Sequence, residues 1–160
     1  MSTPARAQAP ATRRDLEDLP TNVVGELISG VLHSSPRPAG RHAVAASGLG
    51  GELSGPFQRG RGGPGGWWIL DEPELPLGDD VRVPALAGWR RVRMPVVPDV
   101  VGFTLVPDWT CEVLSPSTAK LDMHEKLPLY LERGVGHGWV IDPVHKLVEV
   151  FEAQTGRAVL

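Results

Sequence analysis

The segment PDWTCEVLSPSTAKLDMHEKLPLY, residues 107–130, constrains this chain most. DWTCEVLS alternates with period two, placing Trp109, Cys111 and Val113 on one face and Thr110, Glu112 and Leu114 on the other. One carboxylate, Glu112, therefore lies on an apolar strand, where it is costly unless paired or bound to a cation. A polar turn follows, then a helical pattern. Asp122 with Glu125 three residues on reads as a capping box, Met123, Leu127, Tyr130 and Leu131 as the apolar stripe, and Gly134 as the stop. Pro128 conflicts with a regular helix, which must start later or kink there. Lys126 flanks the stripe, from where its amine can reach over the sheet edge toward Glu112.

A strand carboxylate with a lysine from the next element is the equipment of metal-assisted phosphodiester hydrolysis. Carboxylate-held Mg²⁺ activates water and neutralises the phosphate, while a lysine orients the water or stabilises developing charge. The bland alternative has Glu112 pairing with an arginine and Lys126 snorkelling to water, and spacing alone favours it. Glu26, in GELISG, is a further acidic candidate on a strand. Asp99 and Asp108 follow prolines and suit strand entries or turns equally well, and Asp71, Asp79 and Asp80 read as solvated turn acids. GWRRVR places Arg90, Arg91 and Arg93 after Trp89, a combination that suits a nucleic-acid backbone or a stacked base, although a plain strand end is the commoner case.

Other chemistries lack their residues. The histidines are dispersed without HxH or HExxH spacing, Ser115 and Ser117 lie beside prolines outside any G-x-S-x-G, and the glycine-rich stretch has no GKS or GKT. With Cys111 as the single cysteine, no intramolecular disulfide forms and a reducing cytoplasm fits. No apolar run approaches the ~20 residues that cross a bilayer. The net charge of −3 argues against a dedicated nucleic-acid coat but not against an enzyme that meets nucleic acid at one cleft.

Length predicts one domain. Residues 1–14, rich in Ala, Pro and Arg, read as a disordered tail, and 15–160 as the domain. Val23–Pro36 alternates around Ser29-Gly30 and predicts a β-hairpin. Arg41–Gly55 spaces Val44, Leu49 and Leu53 as a helix does, despite its glycines. Gly55–Gly66 reads as a loop carrying Arg59 and Arg61, and 67–91 as two or three strands with a turn near Gly78-Asp79-Asp80. GWVIDP and KLVEVFEAQTGRAVL complete a strand series, with turns at Asp142-Pro143 and Thr155-Gly156. The order predicts an α/β or α+β domain with one mixed sheet.

VPALAGWRRVRMP, FTLVPDWTCEVLSPSTAKLD, EKLPLYLERGVGHGWVIDP and the terminal LVEVF resemble the bacterial Uma-type family of restriction-endonuclease-like proteins. With GELISG and SSPRPAGRH the likeness spans about Asp15 to Leu160. It implies the PD-(D/E)XK nuclease fold, a mixed sheet flanked by helices with the site at one sheet edge, and further elements beyond Leu160. Carried over, Glu112 resembles the motif's (D/E) carboxylate, and Lys126 resembles its lysine relocated to the helix, since the usual lysine position falls at Leu114. Glu26 is similar to the family's N-terminal glutamate. The motif's aspartate falls in VPALAGW, where Pro84 is kept and Ala85 stands in place of the acid. The resemblance thus implies a Mg²⁺- or Mn²⁺-dependent endonuclease acting on nucleic acid, DNA before RNA, with Glu112 and Glu26 as metal ligands and activity weakened or lost through Ala85. A non-catalytic nucleic-acid-binding or assembly module on the same fold is the alternative. A homodimer is expected only because that assembly is common.

Overall fold

The protein is described by a computed structural model covering residues 9–36, 40–116, 118–153 and 156–159. Of the expected tail, residues 1–8 lie outside this set. Thr12 caps a short helix, α1 (Arg13–Glu17), through a reciprocal capping box with Asp15.

The predicted hairpin forms as β1 (Val23–Ile28) and β2 (Val31–Pro36), in register from Val23↔Pro36 to Ile28↔Val31. Ser29 and Gly30 both take positive φ, 52° and 76°, which matches the twist of a two-residue connection. Next comes α2 (Gly40–Leu53), continued by a wide π-helical turn over Ser54–Gln58, so the expected loop begins later than its composition suggests. The inward stripe of α2 is Ala45, Ala46, Leu49 and Leu53. Val44, expected in that stripe, is 73% exposed, because it lies on the opposite side of the helix from Leu49 and Leu53.

Residues 67–91 hold four strands instead of two or three: β3 (Trp67–Asp71), β4 (Leu75–Leu77), β5 (Asp80–Arg82) and β6 (Leu86–Arg90). The turn at Gly78 lies where expected, between β4 and β5. The remaining strands are β7 (Trp109–Val113), β8 (His137–Asp142), β9 (Leu147–Glu152) and β10 (Gly156–Val159). Asp142 and Pro143 open the turn after β8, while Thr155 lies outside the described residues.

Two sheets result. The mixed one has the order β10-β9-β8-β7-β6-β3, and a four-stranded antiparallel sheet has the order β2-β1-β5-β4. Among the described strands, β7 and β8 alone pair in parallel, which requires a crossover, and the helical segment after β7 provides it. Strand β7 is buried along its whole length and on both faces. Trp109, Cys111 and Val113 pack with Leu86 against α2, and Trp109 meets Trp139 edge-on at 5.2 Å. Tyr130, Val135, Trp89 and Leu75 belong to the second apolar cluster. The link Val83–Ala85 carries the chain from the small sheet into the large one, and the functional residues gather beside it.

Candidate active site

The crossover segment differs from the sequence expectation in a way that builds the site. It starts earlier, at α3 (Ala119–Leu121), passes through a π-helical turn over Asp122–Lys126, and ends as α4 (Leu127–Glu132). Asp122 is not an N-cap. It is buried in the wide turn, where the Leu127 amide donates to its backbone carbonyl five residues back. That turn also resolves the Pro128 conflict, since the proline follows directly and occupies the start of the next helical stretch, where a missing N–H costs little. Such π turns recur at functional sites because they rotate side chains out of regular register. Here Asp122, Lys126 and Tyr130 all face inward.

Two glycines fix the rest of this element. Gly134, at φ 94°, allows a complete Schellman stop: Val135 N–H donates to Tyr130 O at 3.0 Å and Gly134 N–H to Leu131 O at 3.1 Å. Gly138 on β8 leaves room for Leu127, whose side chain occupies the space a Cβ there would need. The helix thereby docks closely on the sheet.

Lys126 is the hub of the site. Its Nζ lies 2.8 Å from Glu112 Oε1, 3.0 Å from Glu26 Oε1 and 3.3 Å from Asp122 Oδ1, and it donates to Val83 O at 3.2 Å. Four acceptors thus surround three ammonium protons. Glu26, on β1, also accepts from Val83 N–H at 2.7 Å, which ties the small sheet to the link. Tyr130 donates its hydroxyl to Glu112 Oε1 at 2.9 Å. Both contacts to Glu112 fall on Oε1, and no described hydrogen bond falls on Oε2. The predicted Glu112, Lys126 and Glu26 therefore converge, while Asp122 is a site member that sequence reading misplaced as a cap.

Burial dominates the electrostatics. It raises Glu112 to about 8, opposed by the Lys126 ammonium and reinforced by Asp122 and Glu26. Asp122 is raised for the same first reason. Burial works to lower the Lys126 pKa, but Glu112, Glu26 and Asp122 outweigh it and hold the amine protonated, above its usual range. Burial and the neighbouring Glu112 also raise Tyr130, which stays a neutral donor.

Glu26, Glu112, Asp122 and Lys126 line one cavity of about 600 Å³. Ala85, the position where the resemblance places an aspartate, lies in its wall with them. Arg41 and His42, from the first turn of α2, line it too, and the buried His42 Nδ1 has no hydrogen-bond partner. Nothing in the sequence singles out His42 beyond its place in SSPRPAGRH.

Arg90, Arg91 and Arg93 lie at the other end of β6 from Ala85, about 16 Å along the strand at ~3.3 Å per residue. Arg90 stacks 4.8 Å from the Trp67 ring centre, and Arg91 stacks 3.9 Å from that of Trp68 while donating to Gln58 O and Trp67 O. Arg93 pairs with Asp108 at 3.0 Å. Asp80 is not an idle turn acid: it accepts from Ser29 N–H and pairs with the buried Arg82.

The site's chemistry fits a hard divalent cation in kind but not in number. Its donors are carboxylate oxygens, and three of them face one ammonium, a surplus of negative charge that Glu112 relieves by holding a proton. However, the point where they converge is taken by the ammonium, Ala85 contributes no oxygen, and among the described residues no three His, Cys, Asp or Glu side chains are grouped as a metal cage would need.

Comparisons with known proteins agree with this architecture. A search of curated proteins returned no significant match. Among solved structures, the chain is similar to a crystal structure titled as a "putative nuclease belonging to DUF820" from Anabaena variabilis ATCC 29413. The two are 26% identical with a TM-score of 0.80, over 94% of this chain and 84% of that one. No helix among the described residues is long and apolar enough to cross a membrane. The model of the Uma2 family, described as "Putative restriction endonuclease", matches residues 13–160, and the chain belongs to that family.

Proposed function

We propose that this chain carries the frame of a metal-dependent endonuclease site, degenerate at Ala85, whose substrate class is nucleic acid and whose reaction is phosphodiester hydrolysis. The observation that carries the reading is the 2.8 Å approach of Lys126 to Glu112 in a cavity whose wall includes Ala85. The family description and the nuclease title of the similar structure support the substrate class. Glu112 and Glu26 are the residues that would hold Mg²⁺ or Mn²⁺. Such an ion, when bound, supplies an activated water and neutralises phosphate charge. Lys126 stabilises charge developing on the phosphate, and Tyr130 fixes the Glu112 carboxyl. Without an acid at position 85 the ion is held weakly and cleavage is weak or absent.

The test is plasmid nicking with Mg²⁺ or Mn²⁺ by the unmodified chain, by Ala85→Asp and by Ala85→Asp/Glu112→Ala. Restored nicking in the first variant, lost in the second, supports the reading. No nicking by any of the three overturns it.

The missing acid and the ammonium at the convergence point favour one further reading, a non-catalytic module on the same fold that binds nucleic acid regardless of metal. It predicts salt-sensitive duplex binding through Arg90, Arg91 and Arg93, unchanged by Mn²⁺ and unimproved by Ala85→Asp.

A further inference from the structure

Helix α2 joins two clefts. Its first turn, Gly40 to His42, lines the cavity of Glu112 and Lys126. Its last turn and the π turn that follows line a second cleft of about 590 Å³, with Arg59 and Arg61 on the rim. Asp71 is the single acid in that second lining, so the two guanidinium groups leave it net positive. Between the clefts the helix advances about 20 Å at ~1.5 Å per residue. At ~3.4 Å per step this covers on the order of six nucleotides of one strand.

Among the described residues, glycines keep much of that path low, and Val44 and Glu52 are exposed side chains that stand on it. A Cβ built at Gly48, Gly51 or Gly55 would meet no atom within 4 Å, and Ser47 turns its hydroxyl back onto Ala43 O. The arginines along the path also differ from those on β6. Arg90 and Arg91 are stacked on tryptophans and Arg93 is paired with Asp108, so binding a phosphate would first break contacts inside the protein. Arg41, Arg59 and Arg61 are exposed, and among the described residues their guanidinium groups have neither an ion pair nor a hydrogen bond.

The geometry points to α2 as the track for a nucleic-acid backbone, running from the Glu112–Lys126 cavity at Arg41 to the cleft of Arg59 and Arg61. This rests on the nuclease reading of the cavity and adds the surface that holds the strand leading into it. Phosphates meet the arginines at both ends, and the glycines between let the backbone approach the helix closely where it passes Val44 and Glu52.

The test is anisotropy of a labelled duplex of about 20 bp, titrated with the full chain across a salt series without divalent metal. Arg59→Ala/Arg61→Ala is compared with Arg14→Ala/Arg133→Ala, which removes the same charge from exposed positions elsewhere. The first pair is expected to weaken binding about tenfold or more and to flatten the salt slope by about two, one for each lost phosphate contact. The control pair is expected to leave both close to unchanged. If Arg59→Ala/Arg61→Ala binds like the unmodified chain, or both pairs weaken equally, the track is wrong while the nuclease reading stands. If the unmodified chain binds no duplex, the nuclease reading fails and the track with it.

Discussion

The Lys126 ammonium and the Glu112 carboxyl meet at 2.8 Å although one comes from a π-helical turn and the other from a strand buried on both faces. Neither charge is tolerable there alone. Lys126 reaches four acceptors and Glu112 Oε1 accepts from two donors, so each stays buried because the other elements of the fold complete its bonding. The geometry that a nuclease would use also locks the helical crossover to the sheet.

Lys126→Met is therefore expected to lower stability by about 3–5 kcal/mol, the usual cost of leaving buried charge without its partner. Urea unfolding at neutral pH measures it. A loss below ~1 kcal/mol would mean the cluster is solvated and not a buried network.

Stability should fall as pH rises from about 4.5 to about 8. Glu112 is raised in the folded protein to about 8, so the folded state holds a proton there that the unfolded chain, near 4.5, has released. The slope contributed by this one group is at most about 1.4 kcal/mol per pH unit, and it vanishes above about 8. Glu112→Gln, which mimics the protonated acid, should flatten the profile in that window. An unchanged slope in the variant would contradict the raised value.

Gly134→Ala should cost about 1–2 kcal/mol, because alanine resists the left-handed φ of 94° that ends α4. Thermal melting reads it as a lower Tm. No change in Tm would mean that the Schellman stop contributes little.

What the sequence made legible followed local rules. Ser29-Gly30 marked the β1–β2 hairpin, period two marked β7, and Gly134 marked the end of α4, each through a backbone preference of a few residues. The π turn was not legible, since nothing in DMHEK distinguishes a five-residue turn from a regular one. In the sequence Asp122 therefore reads as a cap, although its spacing of four from Lys126 places both on one helix side. The second sheet and His42 depend on contacts across long sequence separations, which periodicity does not report. Glu112 and Lys126 follow from strand period and helix position, Glu26 from its place on a strand, and the family resemblance points to the same three; the structure adds that Lys126 touches both acids.

The most direct measurement is calorimetric titration of Mn²⁺ into the unmodified chain, Ala85→Asp and Ala85→Asp/Glu112→Ala. Weak or no heat is expected for the first, a single-site isotherm for the second and its loss in the third. Equal binding by all three, or none by Ala85→Asp while it remains folded, would contradict the claim that position 85 is the missing acid of a cation site built on Glu112.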